Sequence, residues 1–311
     1  MAKQTRNDRN TKVKQNFIKR PAFIIILIIF GILFLYIANK NGLLTLLTDD
    51  GGLNGEFAVH FIDVGQGDSM LIQSPDNEFI LIDTGENDQY NKLSGYLEHF
   101  NVTDFKYVIF THPHSDHIGS AYNIVRDYGI KTLIMPSVVN NIKTFDKLVS
   151  EIEIKVDDGD LELLEPERGA SYEFGGAEFV ILAPSSKEYE NLNNYSVVIE
   201  LKYGKTKFLF TGDIEKESEN EIINYCKENN LDISADVIKV AHHGSSTSTQ
   251  QSILDLVKPS IAVICCGTDN NYNHPNLKVV ERLGKAGAQV LRTDLDGDIV
   301  ITSDGATVTI K

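Results

Sequence analysis

A chain of 311 residues, 42% of them hydrophobic and with the Gly and Pro content of a globular protein, is long enough to bury one large core or two small ones. Residues 1–20 carry seven basic side chains against Asp8 alone, a net +6 that leaves −21 of the total −15 for residues 21–311. So acidic a body repels polyanions and argues against a large, sequence-independent DNA-binding surface unless metal ions or a local basic patch offset the field. Cys226, Cys265 and Cys266 are too few and too irregularly spaced for a disulfide framework or a thiolate zinc site, and are read as core residues.

The basic tail, residues 1–20, leads into PAFIIILIIFGILFLYIAN, whose apolar run from Ala22 to Ala38 is uncharged. About 17 to 20 such residues, rising 1.5 Å each, reach across a hydrocarbon core of roughly 30 Å. Residues 21–40 are therefore expected to anchor the protein in the cell membrane as a single pass. The basic flank places the N-terminus in the cytoplasm and the rest of the chain outside the cell. A cleaved signal peptide is the competing reading, but the run is long for such a segment and no A-x-A site follows it. Residues 41–56 read as a linker, and the folded domain is expected over 57–311.

From Phe57 onward, β-branched runs alternate with amphipathic stretches, with no fixed-period repeat. Strands are expected at FAVHFIDV, SMLIQS, EFILIDT, YVIFT, TLIMP, EFVILA, SVVIELKY, TKFLFTG, DVIKVA, IAVICC, DIVIT and ATVTI. Helices are expected at NKLSGYLEHF, SAYNIVRDYG, NIKTFDKLVSEIE, EKESENEIINYCKENN, STQQSILDLVK and NLKVVERLGKAG, where apolar residues recur at three- and four-residue spacing. A turn at Tyr203-Gly204-Lys205 joins two strands into a hairpin, which points to mixed or antiparallel sheets with helices outside.

The most informative segment is YVIFTHPHSDHIGS, residues 107–120. A strand ends at Thr111, and the loop after it carries His112, His114, Asp116 and His117. Imidazole nitrogens and carboxylates are ligands that zinc accepts, and a loop at a strand end can fold around ions where a rigid strand cannot. A folded core gives no reason to gather three of the chain's eight histidines there.

His112-Pro-His114-Ser-Asp116-His117 matches the H-x-H-x-D-H signature, and the sequence here resembles the metallo-β-lactamase superfamily. FILIDTG with Asp83 resembles the strand and turn that precede the signature in that family. KFLFTGD with Asp213 resembles its later strand ending in a metal-bridging aspartate. A narrower resemblance, to the hydrolase domain of ComEC-type competence proteins, is carried by HFIDVGQGDSMLI, LFTGD, VIKVAHHGSS, NYNHP and LRTDLDGDIVITSDG. It covers nearly all of residues 57–311. Only one spanning segment precedes the domain, in place of the multi-helix channel region of those proteins, so DNA uptake is not expected to carry over.

The resemblance implies an α/β fold, a four-layer αββα sandwich, and two divalent ions, Zn²⁺ with Mn²⁺ as the alternative. His112 and His114 would bind the first ion, Asp116 and His117 the second, and Asp213 would bridge them. Of His242 and His243, His243 is the favoured ligand, because a His-Gly step at a strand end allows close approach, with His242 beside the substrate. The reverse order stays open. His242, His274 and Asp116 are the candidate catalytic residues, and His274 is expected at the substrate or leaving group.

Many superfamily members supply another histidine before the bridging aspartate, yet none occurs here between His117 and His242. Asn193, Asn194 and Ser196 occupy that stretch. The first ion is then held weakly, or through an amide oxygen or water, unless the asparagines are plain turn residues. DVGQGDS, with Asp63, Gln66, Gly67 and Asp68, is either a simple hairpin or the rim of the site. Asp83 fits a role in orienting a ligand imidazole, and His60 and His99 read as structural.

Two ions sharing Asp213 would acidify a water between them and make hydroxide available without a serine or cysteine nucleophile. A phosphodiester substrate, DNA or a cell-envelope polymer, is the first expectation. The envelope variant includes phosphorylcholine esters. The rivals are an amide or lactone hydrolase, β-lactamases included, and a binding module whose metal is structural.

Overall fold

The computed structural model of the protein describes Leu53 and residues 55–140, 143–185 and 188–311. These lie in the second of two compact units, Asp50–Lys311. The expected anchor, residues 21–40, lies outside the described residues, as does most of the expected linker. Among the described residues no helix is long and apolar enough to cross a membrane. The expectation of a single-pass membrane protein with its domain outside the cell is corrected on that finding.

The first six strands, β1 (Phe57–Phe61), β2 (Met70–Gln73), β3 (Phe79–Ile82), β4 (Asp104–Ile109), β5 (Gly129–Ile134) and β6 (Glu162–Leu164), belong to one sheet. The next seven form a second: β7 (Ser171–Phe174), β8 (Ala177–Ala183), β9 (Val198–Tyr203), β10 (Thr206–Phe210), β11 (Val237–Lys239), β12 (Ile261–Ile264) and β13 (Gln289–Arg292). The last two, β14 (Ile299–Ser303) and β15 (Val308–Ile310), return to the first sheet beside β1. Both sheets are mixed: β3 to β6 and β10 to β13 run parallel, and the remaining pairs are antiparallel.

Alternation along each strand divides the apolar side chains between two layers. On β3, Ile80 and Ile82 face the second sheet, where they meet Phe179, Ile199, Phe208 and Phe210, whereas Phe79 and Leu81 face outward. The outward face of the first sheet is covered by helices Tyr90–His99, Ala121–Asp127 and Lys143–Asp157, through Leu93, Leu97, Ile124, Leu148 and Ile152. Helices Lys216–Asn229, Gln251–Val257 and Leu277–Lys285 cover the second sheet through Ile222, Cys226, Leu254, Val279 and Leu283. Their spacings of three and four residues put one apolar stripe on each helix. This is the four-layer αββα sandwich expected from the sequence, with all three cysteines buried in it.

Strands β6, β7 and β13 were not expected. They are short and largely half-buried or exposed, so they lack the apolar alternation that marked the others. The run DVIKVA stops being a strand at Lys239, and Ala241–Gly244 forms a turn instead. The parallel strands of both sheets direct their carboxyl ends to one edge of the sandwich, and the loops that follow β3, β4, β10, β11 and β12 meet there.

Candidate metal centre

The loop after β4 turns into a one-turn helix, Ser115–Ile118, which buries His117 and leaves Asp116 partly exposed, its carboxylate turned to His243. His112 and His114 precede it, with His112 Nε2 3.0 Å from His114 Nδ1. Across the edge, the turn after β10 brings in Asp213. It approaches closely because Gly212 has a positive φ of 51° and no side chain: a Cβ there would lie 2.8 Å from Ser196 Cβ. Ser196 in turn bonds His112 Nδ1 at 3.2 Å and accepts the Asp213 N–H at 3.0 Å.

Asp116, His117, Asp213 and His243 each offer one donor atom within 4.8 Å of the others. His117 Nε2 and His243 Nε2 stand 3.2 and 3.3 Å from Asp213 Oδ2, and His243 Nε2 is 3.2 Å from Asp116 Oδ2. Both Nε2 atoms are buried without a well-directed hydrogen bond. Buried polar atoms are normally paired. Two imidazoles and two carboxylates with their lone pairs converging fit a divalent cation. The ring nitrogens on the far side are fixed: His117 Nδ1 lies 2.7 Å from Asp83 Oδ2, and His243 Nδ1 donates to Cys265 O at 2.8 Å.

The electrostatics agree with this reading. Burial alone would lower the His117 pKa, but the carboxylates of Asp213, Asp83 and Asp116 hold it well above the ordinary histidine value. His243 follows the same pattern, with Asp213 and Asp68 outweighing burial. Burial would raise Asp213, whereas His243, His117 and Lys239 hold it well below the usual carboxylate range. His112 and His114 are instead lowered by burial. The carboxylates thus draw positive charge into the His117/His243 half of the site.

His242 and His243 both adopt left-handed backbone, φ 52° and 51°, as does Asp83 at 56°. Non-glycine residues seldom adopt this conformation, and such strain concentrates at functional sites. The two histidines therefore do not alternate across a strand end as an extended run would have them. His243 turns into the buried cluster, while His242 stays partly exposed, its Nε2 3.9 Å from Asp213 Oδ2 and its Nδ1 3.4 Å from Glu215 Oε1. The His274 ring packs 5.4 Å from that of His242, and burial, then His242 and His243, lowers its pKa to about 4. Burial also lowers His242.

DVGQGDS packs against the ligand loop and is no free hairpin. Asp68 N–H donates to Asp116 O at 3.1 Å, and a Cβ on Gly67 would come within 2.2 Å of that oxygen. Asp68 itself is fully buried. Asn194 is committed to the chain beyond Asp213, accepting from Glu215 N at 3.0 Å and donating to Glu217 at 3.1 Å. Asn193 donates to Glu215 at 3.1 Å and has a buried amide oxygen left without a hydrogen-bond partner. His60 turns to the outer helix layer instead, bonded to Tyr96 and packed on Phe100.

Sequence reasoning missed Lys239 and Glu215. Lys239 carried a signal: it is a lone charge inside VIKVA, and parallel strands covered on both faces are otherwise apolar, so a lysine there needs a buried partner.

Comparison with known proteins agrees with this layout. The chain is similar to "ComE operon protein 3" of Bacillus subtilis, with 31% identity over 264 residues, 79% of this chain and 33% of that protein. It is also similar to "Recombination protein 2" of Haemophilus influenzae, with 30% identity over 249 residues, 78% of this chain and 28% of that protein. The chain thus spans about a third of the length of these relatives. Among solved structures, the metallo-beta-lactamase fold protein YhfI from Bacillus subtilis superposes with a TM-score of 0.52 at 12% identity, covering 82% of this chain and 100% of that one, a likeness of fold alone. Residues 62–268, from the start of the DVGQGDS loop to the end of the sheet edge that gathers the His/Asp cluster, match the family described as the metallo-beta-lactamase superfamily. That match covers more than half the chain, and the chain belongs to this superfamily.

Proposed function

We propose that this protein, a metal-dependent hydrolase by fold and site, cleaves phosphodiesters at the edge where Asp116, His117, Asp213 and His243 meet. The observation that carries the metal reading is the convergence on Asp213 Oδ2 of two buried imidazole nitrogens, neither with a well-directed hydrogen bond. Ions held there would supply Lewis-acid polarisation of the substrate and an acidified water.

Asp116, His117, Asp213 and His243 would hold one ion. His112 and His114 would hold another with Asp213 between, helped by the free amide oxygen of Asn193. The remaining residues act on the substrate directly. His242 and His274 line the cleft beside the cluster, with Gln66, Asn140 and Tyr272 on its wall. Because burial lowers both histidines, they are neutral imidazoles at neutral pH, suited to donate an N–H hydrogen bond to a phosphoryl oxygen or to accept a proton from a water. The imidazolium so formed could then pass that proton to the departing alkoxide. Buried Asp83 orients His117 and exchanges no proton with the substrate.

The cleft holds about 310 Å³, at the small end for a ligand site, and among the described residues no lysine or arginine lines it. That suits one phosphodiester link at a time, in a single strand, an envelope polymer or a choline ester, better than a grip on duplex DNA. Similarity to proteins named for recombination and competence favours a nucleic-acid strand first. The test uses the purified chain with and without Zn²⁺ or Mn²⁺ against bis-p-nitrophenyl phosphate, single-stranded DNA, p-nitrophenylphosphorylcholine and nitrocefin. Metal-dependent cleavage of the diesters is expected, with nitrocefin left intact. Hydrolysis of nitrocefin alone would put the amide and lactone reading in its place.

A further inference from the structure

Lys239 is the last residue of β11, which lies between β10 and β12 in the second sheet. Val237 faces the layer between the sheets and Ile238 faces the outer helices, so alternation turns Lys239 inward with Val237. Its side chain is fully buried. There the ammonium pairs with Asp68 Oδ2, donates to Gly212 O at 3.1 Å and stands 3.5 Å from Asp213 Oδ1.

Asp68 belongs to the loop between β1 and β2 of the first sheet. Gly212 and Asp213 belong to the turn after β10 of the second. One amino group therefore ties together the two loops that close the metal cluster. It also divides the Asp213 carboxylate: Oδ1 faces Lys239, while Oδ2 faces His117 and His243. Burying an ammonium between sheets is unfavourable compared with burying an apolar side chain, so stability alone does not explain a lysine at this position.

We propose that Lys239 is a positioning residue of the metal centre: its ammonium, 3.5 Å from Oδ1 of Asp213, holds that oxygen by charge and leaves Oδ2 as the oxygen offered to the cluster. The inference rests on the metal-dependent reading of the site and adds which oxygen of the shared carboxylate is offered, and what offers it. Without the ammonium, Asp213 is free to rotate and present both oxygens to one ion, and the shared geometry is lost.

Lys239→Met alone strands the buried Asp68 carboxylate and is expected to fold poorly. The working variant is the pair Asp68→Asn with Lys239→Met, which removes both charges together. Mn²⁺ binding to the full chain is followed by the electron paramagnetic resonance signal of free Mn²⁺, with circular dichroism as the check on folding. The folded double variant should lose affinity about tenfold or more, and clearly more than Asp68→Asn alone, in which the lysine keeps Gly212 O and Asp213. Parental affinity in the double variant would reduce Lys239 to a countercharge for Asp68.

A crystal structure of the unaltered chain with Mn²⁺ decides the matter independently of any variant's folding. Oδ1 on Lys239 and Oδ2 on manganese is the expected result, and ligation of manganese by Oδ1 would overturn the inference. Should that geometry appear in a protein that cleaves no phosphodiester, the proposed activity fails and the role of Lys239 stands.

Discussion

Asp83 holds His117 from behind, Oδ2 lying 2.7 Å from Nδ1, so that the ring's other nitrogen is the one turned toward Asp213. The same carboxylate is itself held by the Thr111 amide at 2.8 Å and the Thr111 hydroxyl at 2.7 Å. Asp83→Asn retains the size and one acceptor but weakens the orientation of the imidazole. Metal affinity should fall roughly 10- to 100-fold with the fold intact, as for other groups that orient a ligand histidine. Calorimetric titration with Zn²⁺ checks this, and parental affinity would detach Asp83 from the centre.

Two ions should bind unequally. The set of Asp116, His117, Asp213 and His243 offers four converging donors, whereas among the described residues His112 and His114 belong to no such group and would share Asp213, with the buried amide oxygen of Asn193 as the candidate further ligand. Titration should resolve one tight and one weaker ion. Asn193→Ala should weaken the second without touching the first. Two ions of equal affinity, unaffected by Asn193→Ala, would count against the asymmetry.

The two neighbouring histidines should separate by phenotype. His243→Ala removes a buried group that stands 3.2 Å from Asp116 and 3.3 Å from Asp213, and should cut metal content. His242→Ala removes a partly exposed ring and should keep the metal while lowering turnover by roughly 10²- to 10⁴-fold. Elemental analysis and kinetics on the same preparations read both. Metal lost from His242→Ala and retained in His243→Ala would reverse the roles.

The ligand loop was legible because its donors are local: His112, His114, Asp116 and His117 fall within six residues after an apolar strand. The core strands were legible for a related reason, since runs such as Phe79–Ile82 are buried on both faces. What could not be read depends on tertiary neighbours. Lys239 stands out in sequence as a lone charge inside VIKVA, but which carboxylates it meets depends on two parallel neighbours and an opposing sheet that enclose it. The His242-His243 pair reads as a strand end because sequence pattern does not carry the left-handed turn that separates the rings. Edge strand β7, half-exposed along Ser171–Phe174, has too little apolar pattern to stand out.

Away from the metal, Glu219 supplies a pH-dependent term. It is buried and accepts the Gln250 N–H at 3.0 Å, and burial pushes its carboxyl from 4.5 up to about 7. A folded-state pKa above the unfolded one means the native state holds the proton longer, so stability present below about pH 4.5 is lost as pH rises toward 7. Glu219→Gln should therefore raise stability at pH 8 by about 1 to 3 kcal/mol and leave it unchanged near pH 4.5. Melting curves at the two values test it, and an equal difference at both would contradict it.

The central claim is that Asp213 joins the two sides of the cluster into one metal-dependent hydrolytic centre. The most direct measurement is metal content and bis-p-nitrophenyl phosphate hydrolysis on one preparation each of the parent chain and Asp213→Ala, before chelation, after chelation and after Zn²⁺ or Mn²⁺ is restored. The parent should lose activity with its metal and regain it on reconstitution, while Asp213→Ala should lack both throughout. Hydrolysis that persists after chelation, or an Asp213→Ala protein with full metal content, would contradict the account.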